Sequence, residues 1–401
     1  MLARNTVLAF GLACLSGSSL LTLARNAPAP ARTPLDAHRA LGRPTAFRNL
    51  TLIPVYDARA TAGNDYMTLD EGLKSGVVIV KESSDGGEVN TLYLTNRGKK
   101  ALYLMAGEVV LGGQQDRCIG SDSLVSAGTK KLPITVFCVE HGRWTGQANF
   151  GMSARMVASS EIRASAQYGA LNQQVALAAA PSEVAGRISG LAGVGAPSNQ
   201  ATQQRVQSVV VVATGARNAR NVAGLEQSVG GAQEQVWAKV ATKNRHFNTE
   251  SESGTYRTLL NMSGGDARKS VAPYLKAFSA GLAADPHLVG VVAAVNGKVV
   301  AADIFGNTTL YAKLWPKLLR SYAADAAESA GKGATRRTVS AADAARFLQQ
   351  AASGKDRIQA TGVTGVNTRL VAGGAVTYRL TVVNPVKAIP DTTLHENVLR
   401  K

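Results

Sequence analysis

The residues best placed to do chemistry lie between Ala101 and Trp144. Two apolar, strand-like runs there each end in a glutamate, Glu108 and Glu140, and each glutamate is followed by an arginine, Arg117 and Arg143. Strand side chains alternate between two faces, so Leu102, Leu104, Ala106, Glu108 and Val110 form one row. Leu132, Ile134, Val136, Cys138 and Glu140 form another. Each carboxylate therefore continues an apolar row, where it must be paired or take up a proton.

Two chemistries fit that pattern. In a polar pocket, Glu108 and Glu140 would act as an acid–base pair. Gln114, Gln115, Asp116, Arg117 and Arg143 would then hold an anionic ligand, with Trp144 as its wall. In a structural device, the same groups would form an Arg–Glu network that closes the end of a sheet. Residue types alone leave both open. The segment GEVVLGGQQ lacks the Lys-Ser/Thr ending of a phosphate-binding loop, and Gly112-Gly113 reads as a turn or bulge. The five histidines show no metal spacing. Neither a G-x-S-x-G elbow nor a G-x-G-x-x-G after a strand is present. Nothing here calls for a metal or cofactor.

The elements that must position these residues predict an α+β fold. An N-terminal antiparallel β barrel or sandwich packs with a helix-rich C-terminal part containing β-hairpins. Residues 1–31 read as a signal peptide: Arg4 gives a positive start, and Thr6 to Ala24 an apolar stretch broken by Gly and Ser. A single anchoring helix is the alternative; the Gly/Ser interruptions and the Pro/Ala stretch Ala27–Pro34 favour cleavage, with export to the periplasm or the cell exterior as the expectation. Residues 32–46 read as a linker and 47–150 as the β-rich part carrying the Glu/Arg motifs. Residues 151–330 read as helix-rich, with helices over 153–180, 200–212, 232–242 and 266–282, and a loop over 181–200. Within that part the Asn296-Gly297 turn sets a hairpin over 288–304. A helix capped by Asn307 or Thr308 then runs to about Ala330, burying Leu310, Leu314, Trp315, Leu318, Leu319 and Tyr322. Residues 331–401 supply a basic linker, a helix over 341–352 and a final hairpin around Gly373-Gly374.

The 401-residue chain carries a net charge of +17, with 44 Lys and Arg against 27 Asp and Glu. Without residues 1–31, which hold two arginines and no acid, the charge is +15. The surplus would suit nucleic acid, anionic lipid, cell-wall polymer or an anionic small molecule such as a phosphorylated ligand, or be no more than the dispersed surface charge of an exported protein. The basic residues are dispersed and not interleaved with aromatics, so no specific nucleic-acid binding is indicated. No later segment is apolar enough for a membrane span in the mature chain, and the oligomeric state is left open. Cleavage would also remove Cys14, leaving Cys118 and Cys138 as either a disulfide in an oxidising compartment or two buried thiols.

Three segments carry a family resemblance: GEVVLGGQQDR (Gly107–Arg117), VFCVEHGRW (Val136–Trp144) and GVVAAVNGKVVAADIF…LWPKLLRSYA (Gly290–Ala323). Together they resemble the ARG and Rhodanese-Phosphatase-superfamily-associated protein domain, where ARG stands for ADP-ribosylglycohydrolase. The resemblance runs from about Phe47 to Ala330. His141 stands where the motif leads one to expect a glutamine, and Cys118 where an aliphatic residue is expected. The family name implies association with ADP-ribose- and phosphate-processing proteins; it assigns no reaction. Three functions are open: binding of an anionic or nucleotide-like ligand, hydrolysis of an ADP-ribose-like or phosphorylated substrate, and a structural domain with a buried ion-pair network.

Overall fold

Short apolar runs punctuated by Gly, Asn and Asp become strands, and the longer periodic stretches become helices. The structure, a computed structural model, describes residues 32–82, 90–143, 146, 149–179, 210–214, 222–279, 285–331, 337–354, 356–362, 365–382 and 392–401. The segment read as a signal peptide, Trp144 and the loop over 181–200 lie outside them. Strands β1 (Thr33–Pro34), β2 (Arg39–Leu41), β3 (Thr45–Phe47) and β4 (Leu50–Asp57) come first, then β5 (Met67–Thr68), which runs into α1 (Leu69–Lys74). Next come β6 (Val78–Lys81), β7 (Thr91–Asn96), β8 (Leu102–Leu104), β9 (Val109–Gly112), β10 (Arg117–Ile119), β11 (Ser123–Val125), β12 (Leu132–Cys138) and β13 (Asn149–Ser153). Helix α2 (Ser160–Ala179) and strand β14 (Val210–Thr214) precede α3 (Val222–His246), α4 (Arg257–Asn261) and α5 (Ala267–Ala277). The hairpin β15 (Leu288–Val295) and β16 (Lys298–Phe305) leads to α6 (Thr308–Glu328) and α7 (Ala341–Ala352). Strands β17 (Asp356–Gly362), β18 (Gly365–Ala372), β19 (Ala375–Val382) and β20 (Thr392–Arg400) end the chain.

The fold is α+β. Strands β6, β7, β9, β10, β12 and β13 close into an antiparallel barrel. A large antiparallel sheet runs β1-β2-β4-β15-β16-β20-β19-β18-β17-β14, with β3 also on β4, so its strands come from both ends of the chain. Residues 32–401 accordingly form one compact unit. The stretch 32–46, read as a linker, supplies three strands of that sheet; short polar strands leave little periodicity to detect. Val210–Thr214 pairs with β17 instead of ending a helix, because three successive valines suit a strand better than a helix. Among the described residues no helix is long and apolar enough to cross a membrane.

The barrel is buried on both faces. Val80, Leu92, Leu94, Val110, Ile119, Ile134, Val136 and Phe150 pack in one cluster, while Val109, Leu111, Cys118 and Phe137 belong to a second cluster that includes α2 and α3. That is why β9 reads as a continuous apolar run and not an alternating one. Helix α6 ties the parts together: Leu310, Leu314, Leu318 and Tyr322 are buried, and the polar side chains between them meet partners on α1, the barrel and the sheet.

Candidate functional site

The run 101–111 is not one strand. It breaks after Leu104 into a turn, closed by the Glu108 N–H donating to the Met105 carbonyl at 3.1 Å, and β9 begins only at Val109. Gly107 in that turn has φ +92, and a Cβ there would lie 2.4 Å from the Arg163 Cγ. Only glycine meets both demands. Glu108 itself is fully buried. It accepts from the Met105 N–H at 3.0 Å and from the Lys317 Nζ of α6 at 2.8 Å. Burial pushes its carboxyl up, and the Lys317 charge opposes that. Burial alone would lower Lys317, but Glu108 and Asp70 hold its ammonium above the usual lysine range. The cation of Glu108 is therefore a lysine 209 residues away, not Arg117.

Glu140 does meet Arg143, at 2.7 Å. Burial opposes ionisation of its carboxyl, but the hydrogen bonds from Arg143 and Ser253 keep it below the usual glutamate range. The Asp116 N–H also donates to it, at 3.3 Å. Arg143 continues to the carbonyls of Gly113 (2.7 Å) and Gly112 (3.3 Å). Asp116, fully buried, takes two bonds from Arg257, one at 2.9 Å from Nε. Arg117 donates to the Gln115 Oε1 at 3.0 Å and lies 3.5 Å from Glu82. Gln115 reaches the His141 carbonyl at 3.4 Å, and the Gln114 N–H donates to Glu82 at 3.0 Å. Arg257 and Glu82 were not singled out in the sequence, because neither is close in sequence to the groups it pairs with.

The register separates the two glutamates. The Ile119 N–H donates to the Glu108 carbonyl, whereas the Asp116 carbonyl accepts from Val139, next to Glu140. Three strand residues, about 10 Å, separate those levels. Each carboxylate is held by its own cation. Cys118 and Cys138 are free thiols, which corrects the disulfide expectation. Cys118 is opposite Phe137 and Cys138 is opposite Arg117 on adjacent strands. Directly paired residues share a face and successive residues alternate, so the two sulfurs point to opposite faces of the barrel wall. Burial pushes the Cys118 thiol up to about 12 and Cys138 to about 11.

A second buried network lies on the other side of the 105–108 turn. Asp303 on β16 takes two bonds from Arg163 of α2, at 2.6 and 3.2 Å, and one from Tyr322 of α6. His395 of β20 bridges Asp122 (2.6 Å) and Asp303 (3.1 Å) and stacks on Phe305. Burial disfavours the imidazolium, but the two aspartates raise His395 to about 9. The same Asp122 accepts the Ala106 N–H at 2.7 Å.

Open space lies elsewhere. A cavity of about 580 Å³ sits where β13 ends and where α4 turns into α5. Arg155 and Arg268 line it, with Ser153, Asn261 and Ser263 as further polar groups. Met152, Met262 and Leu111 add apolar surface, and Met152 is 63% exposed. The turn that shapes it needs Gly265, at φ +57, since a Cβ would lie 2.4 Å from the carbonyl oxygens of Phe247 and Asn248. No acidic side chain lines the cavity, and among the described residues no carboxylate pairs with Arg155 or Arg268. Arg320 on α6 is half-buried and held below the usual guanidinium range by burial and by the charge of Arg155. This arrangement can hold an anion attached to an apolar group. By contrast, the cleft beside Asp122 and Gln167 encloses about 10 Å³, room for one water.

A search of curated proteins and a search of solved structures each found no match. A family model does match, over residues 38–396. The chain accordingly belongs to the ARG and Rhodanese-Phosphatase-superfamily-associated Protein domain family.

Proposed function

We propose that this protein binds an anionic, phosphate-bearing small molecule in the cavity lined by Arg155 and Arg268. One observation carries the proposal: a cavity of about 580 Å³ is lined by Arg155 and Arg268, neither of which has a carboxylate partner among the described residues, and by no acidic residue among them. Guanidinium groups without a carboxylate leave their donors to water, and a ligand phosphate would satisfy them through charge-assisted hydrogen bonds. The size falls within the range of small-molecule sites, roughly 300–1,000 Å³. The thioethers of Met152 and Met262 suit a flat or apolar portion of the ligand. On this reading the Glu140–Arg143–Asp116–Arg257 network is structural: its charges neutralise one another, and it closes one end of the barrel.

A thermal-shift screen against ADP-ribose, NAD, nucleotides and sugar phosphates tests the proposal. Stabilisation by phosphate-bearing compounds that disappears in Arg155→Ala is the expected result. No stabilisation by any of them removes the reading. We also propose export, supported by the charge and apolar pattern of residues 1–31. Recovery of the full-length protein, unprocessed, from the cytosolic fraction would contradict it.

A further inference from the structure

Ser153 ends β13 and lines the arginine cavity. Its hydroxyl donates to the Asp70 carboxylate, and the Lys317 Nζ reaches the same oxygen at 3.3 Å. Lys317 also donates to Asp70 and to Glu108, each at 2.8 Å. Ser153 alone of the three lines the cavity; the Asp70 carboxylate and the buried Lys317 ammonium stand behind its hydroxyl, supplied by α1 and α6. Lys317 is committed to two carboxylates, so it serves as a fixed positive charge and not as a base. Asp70 is half open to solvent and accepts the hydrogen bond of the serine hydroxyl.

We infer that Ser153 is the nucleophile of a phosphoryl-transfer centre, acting on a phosphate monoester or anhydride whose phosphate is held by Arg155 and Arg268. The inference rests on the phosphate-binding reading above. In the first step the Ser153 oxygen forms a bond to phosphorus as the bond from phosphorus to the leaving oxygen breaks. The serine proton passes to Asp70, and the leaving oxygen takes its proton from water. Lys317 and the arginines face the charge that builds on the phosphoryl oxygens. In the second step water attacks the phosphoserine, the bond from phosphorus to the Ser153 oxygen breaks, inorganic phosphate departs, the proton given up by the attacking water neutralises the hydroxide left by the first step, and the Ser153 oxygen recovers its proton from Asp70. The net reaction is hydrolysis, with no electron transfer.

The test uses the full chain with 4-nitrophenyl phosphate, read by release of nitrophenol and by acid quenching followed by peptide mass spectrometry. Turnover with a phosphoryl group trapped on the Ser153 peptide is expected. In Ser153→Ala the trapped group should vanish and turnover fall by about 100-fold or more. In Asp70→Asn a comparable fall is expected, with melting curves confirming that both variants fold. Binding of inorganic phosphate, measured in parallel, should survive in Ser153→Ala. If wild type binds phosphate but gives neither turnover nor phosphoserine, the nucleophile assignment is wrong and the binding reading stands. If wild type does not bind phosphate, both fall. Full turnover in Ser153→Ala also overturns the assignment.

Discussion

His395 gives the sharpest stability prediction. It is fully buried between Asp122 and Asp303, with Arg163, Tyr322 and Tyr103 close by. Its pKa is raised from 6.5 to about 9. A raised pKa means that the folded protein binds a proton the unfolded chain releases. The stabilisation is therefore fully present below about pH 6.5 and is lost as pH rises to about 9. At 1.36 kcal/mol per unit, that window holds about 3 kcal/mol. The two buried thiols, also raised, add to the fall only from about pH 8.5, where unfolded cysteine ionises, so the His395 contribution is read between about pH 6.5 and 8.5. Urea unfolding at half-unit steps from pH 6 to 9.5 should show a falling midpoint with an unchanged m-value. In Asp122→Asn, which removes one carboxylate from the imidazole, the fall should still start near pH 6.5 but end at lower pH and be smaller. A midpoint that is flat or rising between pH 6.5 and 9 would refute the reasoning.

Three other outcomes follow from the buried pairs and the turn. Lys317→Met leaves Glu108 buried without its cation and should cost about 3–5 kcal/mol; adding Glu108→Gln should recover most of it, as read by urea unfolding. Gly107→Ala places a side chain at φ +92 and against Arg163, so a loss of about 1–3 kcal/mol is expected from denaturant midpoints. Cys118 and Cys138 should both be alkylated in urea without prior reduction and resist alkylation when folded; alkylation of neither in urea would reveal a bridge.

Much of this fold was legible because its signals are local. The Asn296-Gly297 hairpin and the helix after Asn307 lie where turn chemistry and 3.6-residue spacing place them, and Glu140 meets Arg143 because they are three residues apart. Long-range pairing was not legible. Nothing near Glu108 names Lys317 as its partner, yet a signal existed: Lys317 lies on the buried face between Leu314 and Ser321. Asp303 gives the same kind of signal, set in an apolar row between Ala301 and Phe305. A lone polar residue on an apolar stripe has a partner that only tertiary structure supplies. The arginine cavity was harder still, since Arg155 and Arg268 are 113 positions apart and exposed arginines are the commonest kind. The continuous run 101–111 concealed its break at Gly107 because the residues on both sides of the turn are buried.

Calorimetric titration of pyrophosphate into the protein, in wild type and in an Arg155→Ala/Arg268→Ala variant, tests the cavity assignment most directly. One-site binding that weakens about tenfold or more in the variant, at an unchanged melting temperature, is predicted from the loss of charge-assisted bonds. Equal affinity in both proteins, or no heat of binding in wild type, would contradict it.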